Sequence, residues 1–207
     1  MQIKETGLKF NGPLKPRTRT NRIIIHHTAT PGDVAAETVH TWHLNQGWAG
    51  IGYHYLIRQD GTVERGRPEN VIGAHAGPEG NSDSIGIALA GNFEIVRPTE
   101  KQMEALVWLI RDLIKRYGEL QIIGHRDVIA TSCPGKLFPL EEVKRKIKEE
   151  NKNVDSHAGS KGSWKLDIIR EAKDKGLITI DHDPDEIAPK WFVLAVALNL
   201  LKLKDGK

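Results

Sequence analysis

Three side chains stand out for the chemistry that their types and spacing allow. His26 and His27 are adjacent, and His125 stands in Gly124-His125-Arg126-Asp127. Cys133, the one cysteine of the chain, follows His125 by eight residues, in Thr131-Ser132-Cys133-Pro134-Gly135. One loop can bring His125 and Cys133 to a single point. Imidazole nitrogen and thiolate sulfur are ligands that zinc favours, and a catalytic zinc keeps three protein ligands with a fourth position open to water. Such a metal polarises a carbonyl and lowers the pKa of water from about 15.7 toward about 7. Hydrolysis of an unactivated amide near neutrality needs both effects, so the residues point to a zinc hydrolase. Two other readings stay open: a buried cysteine near a structural histidine, and a cysteine nucleophile served by a histidine base. The order of residues speaks against the second, because His125 precedes Cys133 and Pro134 follows it.

Secondary elements must carry these groups to one place. Residues 22–25, Arg-Ile-Ile-Ile, form a β-branched run that reads as a strand buried on both faces, with His26 and His27 at its end. A strand apolar on both faces gives periodicity no means of choosing between the two imidazoles. Asp33 is expected to cap a helix running to about Gln46, with Gly47 as its stop. Residues 53–57 and 62–64 flank Gln59-Asp60-Gly61, a hairpin signal. A strand over residues 85–89 ends at Gly91-Asn92. Thr99 and Gln102 make a capping box. Met103, Leu106, Val107, Ile110, Leu113 and Ile114 then repeat at the spacing of one buried helical face, up to Gly118. A short strand over 121–123 hands His125 to the site, and a last helix is expected near 140–149. This order predicts an α/β fold with a mixed central β-sheet flanked by helices.

The chain has 207 residues, 39% of them hydrophobic and 28% charged, enough for one good core with an appendage. A net charge of +3 gives a slight preference for anionic polymers and no reason to expect nucleic acid. Lys4, Lys9, Lys15, Arg17 and Arg19 lie in an opening segment, residues 1–21, that reads as an arm or edge segment, and Arg22 follows it. A single cysteine excludes an intramolecular disulfide. The opening MQIKETGLKFNG lacks the apolar core of a signal peptide, so synthesis in the cytoplasm without classical export is expected. The longest apolar run, residues 191–198, is far short of the ~20 needed to span a bilayer, so no membrane insertion is expected.

Residues 1–150 are expected to form the catalytic domain, with its core at 22–140, followed by a linker at 151–162 and a helical module at 163–207. In that module Trp164, Ile168 and Ala172 share one helical face, and residues 191–203 are apolar nearly all round. About 45 residues cannot bury such a helix alone. Docking on the first domain, pairing with a second copy, and binding a ligand are the alternatives.

Several motifs occur in a telling order: His26-His27-Thr28-Ala29-Thr30, Trp42-His43, Gly47-Trp48, Gly52-Tyr53-His54-Tyr55, Asp60-Gly61-Thr62-Val63, Gly73-Ala74-His75, Ser84-Ile85-Gly86-Ile87, then GHRD and TSCPG. Over residues 22–140 the chain resembles the N-acetylmuramoyl-L-alanine amidases of the phage lysozyme and peptidoglycan recognition protein superfamily. The resemblance implies one zinc ion held by His26, His125 and Cys133, the first histidine of the pair being the ligand. It implies that Tyr53 is catalytic, and that Thr131, where the phage branch has lysine, assists. His75, Asn81 and Ser82 fall in stretches that would line the substrate groove. Asp127 would orient His125 or cap its loop. The implied activity is cleavage of the bond between N-acetylmuramic acid and L-alanine in peptidoglycan, and the lack of a signal suggests a phage endolysin. The alternatives are a non-catalytic peptidoglycan-binding protein on the same fold and a glycosidase, although no pair of carboxylates of the kind a glycosidase needs stands out. Residues 163–207 would then be a wall-binding or dimerising module.

Overall fold

A computed structural model describes residues 1–158, and residue 176 beyond them. The two helical stretches expected after residue 163 lie outside the described residues. The first compact unit spans Met1–Lys148 and contains one six-stranded sheet. The elements of the described residues in chain order are β1 (Ile3–Lys4), β2 (Arg22–His27), α1 (Ala36–Asn45), β3 (Tyr55–Ile57), β4 (Val63–Arg65), α2 (Gly77–Asn81), β5 (Ser84–Leu89), α3 (Glu100–Tyr117), β6 (Gln121–Gly124), a 3-10 turn (His125–Asp127) and α4 (Leu140–Ala158).

The strands lie in the order β1-β4-β3-β5-β2-β6. Only the hairpin pair β3 and β4 is antiparallel; every other neighbouring pair is parallel. The sheet is therefore mixed, as expected. Strand alternation sorts its residues onto two unlike faces. Ile23 and Ile25 of β2, Ile85, Ile87 and Leu89 of β5, and Tyr55 and Ile57 of β3 pack with Leu106, Ile110 and Leu113 of α3 and with Val143 and Ile147 of α4. This is the main core, and it makes the sheet a rigid platform. On the opposite face β5 presents Ser84, Gly86 and Ala88, all fully or nearly fully buried and all small. Their size leaves room above the sheet for the rings described below.

Helix α3 begins as its capping box requires. The Thr99 hydroxyl accepts the Gln102 N–H at 3.1 Å, and the Gln102 side chain accepts the Thr99 N–H at 3.1 Å. The hairpin likewise forms at the Asp60-Gly61 turn, where Gly61 takes φ +88°.

Three details differ from the sequence reading, and the opening segment takes one of its two expected forms. Asp33 does not cap α1; its carboxylate holds the Arg58 guanidinium at 2.8 Å and the Gln59 N–H at 2.9 Å. The helix starts later, after Ala35, and its first amide, that of Ala36, donates to the buried Glu64 carboxylate of β4 at 2.7 Å. A cap from another strand leaves no local signal. The opening segment forms edge strand β1 beside β4, and Pro16 bridges Val71. Arg17 then reaches inward, donating to the carbonyls of Val71 and Ser84 at 3.1 Å each. Finally, α4 runs through Ala158, so residues 151–158, expected to begin a linker, continue the helix. Among the described residues no helix is long and apolar enough to cross a membrane.

Candidate active site

Alternation along β2 separates the two adjacent histidines. His27 joins the face of Ile23 and Ile25, where its Nδ1 accepts the Phe93 N–H at 3.1 Å. His26 turns to the face of small residues and is 1% exposed. The choice that periodicity left open is thus made by the sheet register, which places the main core on the side of His27.

His125 opens the 3-10 turn directly after β6. Asp127 closes that turn by accepting the Gly124 N–H at 2.8 Å, so of its two expected roles it takes the capping one. The following loop folds back onto the turn. The Arg126 N–H donates to the Cys133 carbonyl at 2.9 Å, and its guanidinium donates to the Gly135 carbonyl at 2.9 Å. Gly135 takes φ +103°, and a Cβ there would lie 2.4 Å from the Phe93 carbonyl carbon, so only glycine fits. These bonds close the eight-residue interval between His125 and Cys133.

His26, His125 and Cys133 each offer one ligand atom, and these atoms all lie within 4.8 Å of one another. Cys133 Sγ stands 3.7 Å from His26 Nδ1, and the rings of His26 and His125 are 4.5 Å apart. Tetrahedral zinc with bonds of about 2.0–2.3 Å holds its ligand atoms about 3.3–3.6 Å apart, close to this spacing. His125 Nε2 is buried, and among the described residues it finds no protein hydrogen-bond partner. A buried nitrogen without a partner is costly, and a cation bound at that nitrogen would remove the cost. Two imidazoles, one sulfur and this orphaned nitrogen fit zinc.

Burial pushes the Cys133 thiol up to about 11, against opposing pulls from the His27 amide and the Arg126 charge. A thiol held there is a poor nucleophile, whereas a bound cation would convert it to thiolate. Burial, reinforced by neighbouring imidazoles, keeps His26 and His75 neutral well below the ordinary histidine range. His125 is lowered by burial as well. Neutral imidazole is the ligand form.

Tyr53 stands beside this cluster, its ring 5.1 Å from that of His26. Burial, and secondarily the nearby Cys133, raise the Tyr53 phenol above its ordinary value. It therefore keeps its proton at neutral pH and can donate it. His43 of α1 fills the space between Trp48 and Tyr53, with rings 4.6 and 5.8 Å away. Its Nδ1 accepts the Gly52 N–H at 3.0 Å, which fixes the loop leading to Tyr53. Helical spacing alone carried no sign of that contact.

The remaining residues that the resemblance named have the following partners. The exposed Thr131 turns its hydroxyl to the Cys133 N–H at 3.3 Å. The Asn81 side-chain oxygen accepts the amides of His75 and Ala76 at 2.8 Å each. The Ser82 hydroxyl donates to the Glu79 carbonyl at 3.1 Å. His75 is buried against His26, with 3.0 Å between His26 Nε2 and His75 Nδ1.

Residues 16–136 match the family described as N-acetylmuramoyl-L-alanine amidase. The chain belongs to that family. The endolysin of Klebsiella phage KP32 is 37% identical over 125 residues, covering 57% of this chain and 82% of the endolysin. Peptidoglycan-recognition protein SC2 of Drosophila melanogaster is 39% identical over 126 residues, covering 54% of this chain and 66% of that protein. Among solved structures, the N-acetylmuramoyl-L-alanine amidase LysC from Clostridium intestinale URNW superimposes with a TM-score of 0.68 at 40% identity, over 72% of this chain and 98% of that one. Fold and sequence agree on one family.

Proposed function

We propose that this chain is a zinc-dependent peptidoglycan hydrolase that cleaves the amide between N-acetylmuramic acid and L-alanine. The observation that carries this reading is the convergence of His26, His125 and Cys133, with the orphaned Nε2 of His125, inside the segment that matches the amidase family. When bound, zinc supplies a Lewis acid that polarises the scissile carbonyl and lowers the pKa of water toward neutrality. His26, His125 and Cys133 would hold it, the cysteine as thiolate. Tyr53 keeps its phenolic proton at pH 7 and donates a hydrogen bond to the oxyanion as the carbonyl is attacked. Thr131 acts through the loop, holding the Cys133 amide so that the sulfur stays in place. Asn81 likewise shapes the wall by fixing the His75 backbone.

Phage endolysins among the relatives support synthesis inside an infected bacterium and action on the cell wall. The family match ends at residue 136, so residues 163–207 are proposed as a separate module that binds wall polymer or pairs two copies. The recognition-protein relatives favour a second reading, binding without cleavage. Retention of Cys133 and Tyr53 beside His26 favours the enzyme.

The test is digestion of purified peptidoglycan with and without a chelator, scoring new L-alanine amines against new reducing ends. Amines that vanish with chelator and return with zinc support the amidase. Reducing ends would mean a glycosidase, and binding without either product would mean a recognition protein.

A further inference from the structure

His26 reaches the ligand cluster through one nitrogen only. Its Nδ1 faces Cys133 Sγ at 3.7 Å, while its Nε2 lies 3.0 Å from Nδ1 of His75. For Nδ1 to bind a metal, the ring proton must sit on Nε2. Nothing within His26 selects that tautomer.

The selection comes from counting protons along a buried chain. The Ser84 hydroxyl has one proton and donates it to the Gly80 carbonyl at 2.5 Å. Ser84 Oγ can therefore only accept from His75 Nε2, which lies 3.5 Å away. That puts the His75 proton on Nε2 and leaves its Nδ1 bare. A bare Nδ1 at 3.0 Å accepts from His26 Nε2–H, which leaves His26 Nδ1 bare toward Cys133. The direction of every bond follows from a carbonyl at the far end, which can only accept.

The fold is built to hold the middle ring of this chain. His75 is 9% exposed and meets His26 edge to face, at 81°. A Cβ at Gly73 or Gly86 would fall 2.4 or 2.5 Å from a carbon of the His75 ring. Glycine at both positions makes the slot, and it explains a glycine in the middle of β5. Asn81 clamps the backbone on which the ring rides, at 2.8 Å to each of two amides.

We propose that His75 is a positioning residue for the metal ligand His26: it accepts the Nε2–H of His26 and so presents His26 Nδ1 to the cation. Groups that hydrogen-bond metal-bound imidazoles typically carry 10- to 100-fold in metal affinity. This inference rests on the zinc reading above, and the measurements separate the two.

The experiment measures zinc affinity of the full chain by competition with a colorimetric chelator, in wild type, His75→Leu and His75→Asn, alongside thermal unfolding without metal. The expected result is about 10- to 100-fold weaker binding in His75→Leu. His75→Asn, whose amide oxygen replaces the acceptor, is expected to stay near wild type. Equal affinity in wild type and His75→Leu overturns the inference and leaves the zinc reading standing. Equal loss in both variants also overturns it, because packing rather than the acceptor would then matter. A wild type that binds no zinc overturns both. Should His75→Leu fail to fold, nitrogen-15 NMR of metal-free wild type decides: His26 with its proton on Nε2 supports the inference, and His26 with its proton on Nδ1 overturns it.

Discussion

Metal-free protein is expected to lose stability in mild acid, and His54 supplies a share that can be worked out. Its ring is completely buried under the site. Nδ1 accepts the Gly86 N–H at 2.9 Å, and Nε2 donates to the Val71 carbonyl at 3.0 Å. Protonation would force an Nδ1–H against the Gly86 N–H, in a pocket that already holds Arg17. Burial, with Arg17, Arg67 and Arg65 adding, depresses His54 to about 3 against an ordinary 6.5, while its bond to Val71 opposes. Above pH 6.5 both folded and unfolded chains carry the neutral ring. As pH falls, the unfolded chain takes up the proton first, and stability drops until the folded ring titrates near pH 3. Between pH 7 and pH 5 the loss from this one group is about 2 kcal/mol. Urea unfolding at both pH values, in wild type and His54→Asn with chelator present, isolates it. His26 and His75 fall in the same direction in both proteins and cancel in the comparison. The variant should show a drop smaller by about 2 kcal/mol; equal drops would refute the reasoning.

Three further outcomes are expected. Cys133→Ala should lose zinc retention and lytic activity together, seen by metal analysis of purified protein and clearing of a wall suspension. Tyr53→Phe should keep its zinc while kcat falls about 100- to 1000-fold, the usual cost of removing one oxyanion donor. Gly135→Ala places a Cβ 2.4 Å from the Phe93 backbone at φ +103°, so unfolding should show a loss of at least about 2 kcal/mol.

Much was legible from residue types and order. The capping box at Thr99 and Gln102, the Asp60-Gly61 hairpin and the buried face of α3 are local patterns whose physics lies within a few residues, and they form as read. The candidate donors His125, Cys133 and one of the two adjacent histidines were legible too, because few residue types bind zinc; the fold brings His26, His125 and Cys133 together. Other features depend on groups far apart in sequence. Glu64 caps α1 across 28 positions, and Arg17 braces the loop at Val71 across 54. The facing of His26 rather than His27 toward the site required the sheet register, because both sides of β2 are apolar. The backbone partners of the short side chains of Thr131, Asn81 and Ser82 were likewise set by the fold. The sequence alone determined the donor chemistry and the local elements. Only the tertiary structure decided which ring faces which, because a hydrogen bond depends on distance and direction, and for partners far apart in the chain both are set by packing.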